Sequence, residues 1–353
     1  MKIQKEVCLV TGGCGFVGRH LVAQLKARHD RIFIVDDLST GKHPSTWLPG
    51  YACEQRGKVA VFTNGASTIE FLHADAIDFF WRELRGEAIL GADSIPEAYH
   101  LASIVGGRAV IDGDPLLVAT DLAIDALFFR WTVKHKDKVG RVLFASSSAA
   151  YPIDLQQTVG QEGSIALREE MISFQGNIGK PDMTYGWSKL TGEYLATLAA
   201  ERYGIKVACV RPFSGYGEDQ DLTYPVPAIA YRAAGREDPM VVWGTGRQGR
   251  DFVYIDDCIE AMFLIIEKVT DGRGVNIGTG QLTNFIEVAQ MFVDLEGYRA
   301  EVKPLVDAPV GVQSRYCDPA LVYSLGWRPR TSLRAGFAKV LQMAHERRTA
   351  AAG

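Results

Sequence analysis

This chain reads as a doubly wound α/β protein: a parallel sheet covered by helices on both faces, with a smaller lobe towards the C-terminal end. Three observations carry that reading. Short, nearly all-apolar runs at residues 7–11, 31–35, 69–73, 98–102, 141–145 and 206–210 alternate with longer helical stretches. Strands apolar on both faces belong to parallel sheets buried between layers of helices. The first run passes directly into a glycine-rich turn and an amphipathic stretch. After Arg211 the pattern loosens into short elements separated by Gly and Pro.

Taken in order, the first strand is followed by a helix over about residues 15–28 and the second by a polar stretch, 40–67, with little periodicity. That stretch reads as a loop with some local structure. Helices are expected over 115–134 and 185–203, the latter preceded by an irregular segment, 152–182, placed to lie over the site. Residues 251–267 read as a strand and helix returning to the main sheet. The expected division is 1–211 with 250–272 for the larger domain, and 212–249 with 273–353 for the lobe.

Composition narrows the function. The 353 residues hold 38 Lys+Arg against 42 Asp+Glu, a net charge of -4, which gives no basic footprint for nucleic acid or an anionic membrane. No apolar run approaches the ~20 residues of a membrane span. The first ten residues run into a short strand and lack the long apolar core of a cleavable signal. Cys8, Cys14, Cys53, Cys209, Cys258 and Cys317 are scattered without Cys-x-x-Cys spacing, as expected of buried or semi-buried free thiols. A soluble, cytoplasmic protein with no bound metal is expected.

Thr11-Gly-Gly-Cys-Gly-Phe-Val-Gly18 fits Gly-x-Gly-x-x-Gly at Gly13, Gly15 and Gly18, and equally Gly-x-x-Gly-x-x-Gly from Gly12. Between a strand and a helix, such a turn lets a pyrophosphate approach backbone N–H groups at the helix N-terminus. The next strand ends at Asp36, about 20 residues on, where a carboxylate accepts hydrogen bonds from an adenosine ribose. It would repel a 2′-phosphate, and no arginine immediately follows it, so NAD is favoured over NADP. The larger domain is therefore expected to be of Rossmann type. Asp37 is a loop carboxylate or a second ribose contact. Asp75 either meets the adenine amine at a strand's carboxyl end or caps the helix that follows.

Tyr185 and Lys189 are just over one helical turn apart and leave the same helix face. An ammonium beside a phenol stabilises the phenolate and draws its pKa down from ~10 towards working pH. Such a phenol can take a proton from a hydroxyl while the carbon beneath loses hydride. Phe144-Ala-Ser-Ser-Ser-Ala-Ala-Tyr-Pro152 follows another apolar strand. Hydroxyls there point into the crevice where open α/β sheets bind ligands; a Ser-rich turn capping backbone groups is the other reading.

Together these blocks resemble the extended short-chain dehydrogenase/reductase family of nucleotide-sugar epimerases and dehydratases, over nearly the whole chain. The resemblance also covers Val35-Asp-Asp-Leu-Ser-Thr-Gly-Lys42, His100-Leu-Ala-Ser103, Arg211-Pro-Phe-Ser214 with Tyr216-Gly217, and Arg250-Asp-Phe-Val-Tyr-Ile-Asp-Asp257. Arg315-Tyr-Cys-Asp318 and Leu325-Gly-Trp327 match the family's usual close. It implies Tyr185 as catalytic base, Lys189 as its tuning partner and nicotinamide-ribose ligand, and Ser147 as the hydroxyl partner. It implies NAD contacts from Gly12, Gly15, Phe16, Val17, Gly18, Asp36, Asp37, Ser39, Asp75, Leu101, Ala102, Ser103, Tyr185, Lys189 and Pro212. Substrate contacts are implied for Ser103, Val105, Gly106, Ser147, Ser148 and Ser214. Arg250 and Arg315 would hold the nucleotide diphosphate, to which guanidinium groups bond in charge-assisted pairs.

The resembled enzymes begin by oxidising a sugar, commonly at C4. The 4,6-dehydratases carry an acidic pair where this chain has Ser148 and Ala149, and neither residue can move the C5 and C6 protons. The segment from His100 to Gly107 resembles GDP-mannose 3,5-epimerases and GDP-fucose synthases, but the 3,5-epimerases place an acid/base cysteine where Ala149 stands. C4 epimerisation of a GDP- or UDP-linked sugar asks for the fewest residues. A 4-dehydrogenase or 4-reductase would use the same three. A non-catalytic NAD(H) sensor on this fold is a reading from another class, as is an RNA-binding scaffold, for which no basic stripe exists. Asp121 stands where the family usually has asparagine. Apolar residues around 115–134, namely Leu116, Leu117, Leu122, Leu127, Phe128, Phe129 and Trp131, exceed one sheet-facing stripe. With the family's four-helix pairing, they point to a homodimer.

Overall fold

The computed structural model describes residues 6–65, 67–106, 113–160, 162–176, 178–308 and 310–352. Gly107, the end of the segment likened to the 3,5-epimerases, lies outside them. The first part runs β1 (Cys8–Thr11), α1 (Phe16–Leu25), β2 (Arg31–Asp36), β3 (Ala52–Arg56), β4 (Val59–Asn64), β5 (Ser67–His73), α2 (Ala76–Arg85) and β6 (Ile95–His100). It continues with α3 (Pro115–Val118), α4 (Asp121–Lys134), β7 (Val139–Ala145), α5 (Met183–Tyr203) and β8 (Lys206–Pro212). Then come β9 (Ser214–Tyr216), α6 (Pro225–Ala234), β10 (Met240–Trp243), β11 (Gly249–Arg250), β12 (Phe252–Tyr254), α7 (Ile255–Lys268) and β13 (Asp271–Ile277). The remainder is β14 (Thr283–Asn284), α8 (Phe285–Glu296), β15 (Val302–Leu305), β16 (Ser314–Arg315), α9 (Ala320–Ser324) and α10 (Leu333–Ala352).

Among the described residues, nine strands form one sheet in the order β13-β8-β7-β6-β1-β2-β5-β4-β3. The pairs from β13 to β5 are parallel. Strand alternation sorts the core between the two faces. Cys8 and Val10 of β1 join the cluster with Leu21, Ile34, Ile259 and Met262. Val7 and Leu9 face Phe33, Phe79, Phe80, Phe128, Trp131 and Phe144. Each such buried side chain contributes about 1.5–3 kcal/mol.

Four expectations change. Within the 40–67 stretch, residues 52–64 form a β-hairpin, with β3 antiparallel to β4 and β4 antiparallel to β5, extending the sheet edge. β3 is exposed at every residue, so it carries no apolar alternation to read. The strand returning to the main sheet is β13, not 252–254, which pairs with β9; residues 273–277 thus lie in the main sheet rather than the lobe. The helix expected over 115–134 breaks at a turn between α3 and α4. On these helices Leu127, Phe128, Phe129 and Trp131 are buried, which leaves Leu116, Leu117 and Leu122 exposed. Cys53 is exposed and the other five cysteines are buried, all unpaired. No helix among the described residues is long and apolar enough to cross a membrane.

Candidate active site

β1 is flanked by β2 on one side and β6 on the other, so the chain reverses its winding there and a crevice opens beyond the strands' carboxyl ends. The glycine turn lies in it. Gly12 has φ +71°, and a Cβ there would stand 2.7 Å from the Ala102 nitrogen; one at Gly18 would stand 2.2 Å from the Gly12 oxygen. At Gly15 a Cβ would meet one atom within 4 Å, the Gly12 oxygen at 3.4 Å, so this position is less crowded than Gly12 or Gly18. Gly15 is also the N-cap of α1 and supplies no side-chain cap. A helix start without a side-chain cap fits a pyrophosphate; Phe16 and Val17 form its first turn, half-buried. Asp36 is buried at the end of β2, its Oδ2 accepting from Cys14 N at 2.9 Å and its Oδ1 from Leu38 N at 2.8 Å. The carboxylate is thereby fixed to the turn with lone pairs to spare for ribose hydroxyls.

The outer cofactor candidates are placed differently. Asp37 accepts from Ser39 N and Ser39 Oγ, at 2.9 and 2.7 Å, on the exposed loop. Asp75 is exposed and caps α2, accepting from Ile77 N at 2.7 Å and Asp78 N at 3.2 Å. Leu101 and Ala102 leave β6 against the glycine turn, Leu101 N donating to Thr11 O at 3.0 Å. Pro212 ends β8, half-buried, and Val105 and Gly106 are half-buried at the limit of their described segment.

Tyr185 and Lys189 sit in the first turns of α5. The Lys189 ammonium lies 5.6 Å from the Tyr185 ring centre and 5.5 Å from that of Phe144. Ser147 caps the short turn after β7, accepting from Ala149 N at 3.1 Å, and it stands near enough to Tyr185 to pull the phenol down. Asp182 N donates to Ala149 O at 3.0 Å, and a Cβ at Gly186 would stand 2.4 Å from that oxygen. The serine turn and the start of α5 are therefore locked together. Ser148 and Ala149 are buried beside them.

One expectation about acidity reverses. Tyr185 is half-buried; loss of solvent is the largest influence and pushes its phenol up, Asp121 and Asp125 push the same way, and the lowering by Lys189 and Ser147 does not overcome them. Lys189 is buried, which alone would lower it, yet Asp125, Tyr185 and Asp121 hold it above the ordinary lysine value.

Arg250 and Arg315, far apart in sequence, are register partners of the parallel pair β11–β16. Arg250 Nη1 donates to Gly249 O at 2.7 Å and Val312 O at 2.9 Å. Arg315 Nε donates to Gln156 Oε1 at 2.6 Å and Nη2 to Asp182 Oδ2 at 2.7 Å. Between them in the fold, Asp251 is fully buried, accepting from Thr279 N, Thr279 Oγ1 and Gly280 N at 2.8, 2.6 and 2.9 Å. Ser214 lies in β9, its N–H bonded to Asp251 O at 2.9 Å.

Residues 8–278 match the model of the NAD-dependent epimerase/dehydratase family. The chain belongs to that family. NAD is accordingly its cofactor, and the chain is an enzyme. It is 27% identical to a putative UDP-glucose 4-epimerase of Methanocaldococcus jannaschii, over 94% of this chain and 96% of that protein. It is equally 27% identical to a GDP-L-fucose synthase of Sinorhizobium fredii, over 71% and 73%. The UDP-glucose 4-epimerase of Thermotoga maritima shares the fold with TM-score 0.77, 24% identity and coverage of 98% and 99%. Relatives of equal identity thus carry different nucleotides and different reactions in their names.

Three residues of the site escape sequence reading. Asp182 occupies the N-cap position of the helix bearing Tyr185, and an acid ahead of a helix is a signal that could have found it. Asp125 follows Asp121 by four residues on a largely apolar helix, again a readable oddity. Gln156 gives no signal. A cavity of about 600 Å³ lies elsewhere, at the amino ends of β1 and β2, lined by Cys8, Arg28, His29 and Arg31 among others. There Cys8, His29 and Glu97 approach one another, but Glu97 is already bonded to His29 and Tyr99 at 2.9 and 2.7 Å, with Arg28 3.7 Å away.

Proposed function

We propose that the enzyme is a nucleotide-diphosphate-sugar 4-epimerase that retains its NAD. The observation that carries this reading is the gathering of Ser147, Tyr185 and Lys189 around one point, with the buried neighbours Ser148 and Ala149 offering no acid or base. C4 epimerisation needs those three groups and a pocket in which a keto sugar can turn over. Dehydration, or epimerisation at C3 and C5, needs a further proton carrier.

Gly12, Gly15, Phe16, Val17 and Gly18 would hold the pyrophosphate, Asp36 the adenosine ribose and Lys189 the nicotinamide ribose. NAD+, when bound, would supply the hydride acceptor for C4 and a positive charge that draws the phenol towards its ionised form. Tyr185 takes the proton of the sugar's 4-hydroxyl, with Ser147 bonded to the same oxygen, as the C4–H bond breaks and C4–O becomes a carbonyl. Lys189 balances the phenolate. The proton returns from Tyr185 to O4 when the C4–H bond re-forms on the opposite face, so no proton or electron pair is lost. Arg250 and Arg315, side by side, face the diphosphate of a GDP- or UDP-linked sugar. His100 takes no part, being buried between Thr11 and Asp125. Free thiols fit a reducing compartment, and we infer a cytoplasmic location.

The test is a screen of UDP- and GDP-sugars read by NADH absorbance and product NMR in deuterated water. C4 inversion without NADH accumulation, and without deuterium at C3 or C5, is expected. Tyr185→Phe should lose activity by roughly 10²–10⁴-fold, the range for general acid–base catalysis, while still binding NAD. Deuterium at C5 would return the 3,5-epimerase reading, and stoichiometric NADH with a released keto sugar would make the enzyme a 4-dehydrogenase.

A further inference from the structure

Behind the Tyr185–Lys189 pair lies a buried set of charges that the proposed reaction does not use. Asp121 and Asp125 are one turn apart on α4, so both project from one face, and they are 0% and 1% exposed. That face is turned towards α5, where Lys189 is 2% exposed. Asp121 Oδ2 accepts from Ser103 Oγ at 2.6 Å, and Oδ1 from Ile104 N at 2.7 Å. Asp125 Oδ1 meets His100 Nε2 at 3.1 Å, while its Oδ2 is buried with no partner among the described residues. The other nitrogen of His100, Nδ1, is 2.7 Å from Thr11 Oγ1. A neutral imidazole with its proton on Nε2 satisfies both contacts, and burial holds His100 below its ordinary value. His100 therefore brings no second positive charge, and one ammonium serves two carboxylates.

We propose that Asp121 is a positioning residue of this site: its buried carboxylate fixes the Ser103–Ile104 segment beside the cofactor turn and, with Asp125, competes with the Tyr185 phenol for the charge of Lys189. The competition is electrostatic and short-ranged: the three charged groups are buried, where a charge acts more strongly than at the surface, and the phenol is half-buried. The groups facing the phenol are Lys189 on its own helix, Asp121 and Asp125 on α4, Ser147 after β7, and Tyr224 ahead of α6. Behind Lys189 stand Asp125, Asp121 and Cys209 of β8, with His100 of β6 beside them. Lys189 is the one cation among these groups. Burial also holds the Asp121 carboxyl above the ordinary carboxylate value, against the pull of Lys189. An asparagine at this position would keep the shape and one of the two acceptors, and would leave the Lys189 charge to the phenol and Asp125.

The inference rests on Tyr185 and Lys189 as the reacting pair, but its test needs no substrate, so its failure and that of the 4-epimerase reading are distinguishable. Protein labelled with ¹³Cζ-tyrosine is titrated by NMR, the Tyr185 resonance being assigned from Tyr185→Phe. In Asp121→Asn the Tyr185 pKa should fall by about one unit or more, the effect of removing a like charge in a buried site. Asp125→Asn should lower it too, without disturbing Ser103 or Ile104. A merely structural role predicts a lower melting temperature with the titration unmoved, and that result overturns the proposal. If Asp121→Asn does not fold, Asp125→Asn decides: a fall supports the competition for Lys189, and an unchanged value refutes it.

Discussion

His20, on the helix that follows the glycine turn, is held between two carboxylates: Nε2 lies 2.8 Å from Asp219 Oδ1 and Nδ1 3.5 Å from Asp256 Oδ1. Asp219 is also gripped by Arg19, with Nη2 to Oδ2 at 2.5 Å. The cluster therefore ties α1 to the segment entering α6 and to α7. Burial alone would lower the imidazole, but hydrogen bonds and charges from Asp219 and Asp256 outweigh it and raise its pKa from 6.5 to about 9. With the folded value above the unfolded one, the stabilisation is complete below pH ~6.5 and disappears as pH rises through about 9. A rise of about 2.5 corresponds to an upper bound of about 3 kcal/mol. Side-chain exposures of 23% for His20, 28% for Asp219 and 50% for Asp256 reduce this to ~1–2 kcal/mol after solvent screening. His20→Gln keeps a donor and removes the titration. Urea unfolding of both proteins should show that deficit at pH 6, a smaller one near pH 8, and none at pH 10. An equal gap at pH 6 and pH 10 would show that the imidazolium charge is not what holds the two parts together.

Two further outcomes are expected. Calorimetric titration should show NAD+ bound more tightly than NADP+, because the Asp36 carboxylate, fixed by Cys14 N and Leu38 N, repels a 2′-phosphate; equal or tighter NADP+ binding would contradict its ribose role. Light scattering at micromolar concentration should give a dimer mass, since Leu122, Trp187 and Tyr194 remain exposed on α4 and α5 and a self-complementary helix face would cover them; a monomer mass would refute the pairing.

The site was legible where its logic is local. The glycine turn, the acid closing the second strand, the Tyr185–Lys189 spacing and the serine-rich turn each lie within one strand–turn–helix unit, and sequence spacing fixes which side chains share a face. The hairpin of β3 and β4 was not legible. Its outer strand buries nothing, and its pairing with β5 is set by backbone hydrogen bonds that leave no mark on composition. Asp182 and Gln156 were missed because their roles come from Arg315, on a strand distant in sequence.

By itself the sequence determined the doubly wound fold and the cofactor class, and it singled out the residues proposed to react, since strand alternation, helical spacing and glycine turns act over a few residues. Only the tertiary structure decided that Arg250 and Arg315 stand in register and that Asp182 joins Arg315 to the helix bearing Tyr185. It also decided that the Tyr185 phenol lies above its ordinary value rather than below it. Each of these depends on which groups long chain separations bring together, and on how much water the packing removes from between them. The loss of solvent, joined by two carboxylates on α4, outweighs the lysine that the local spacing placed beside the tyrosine.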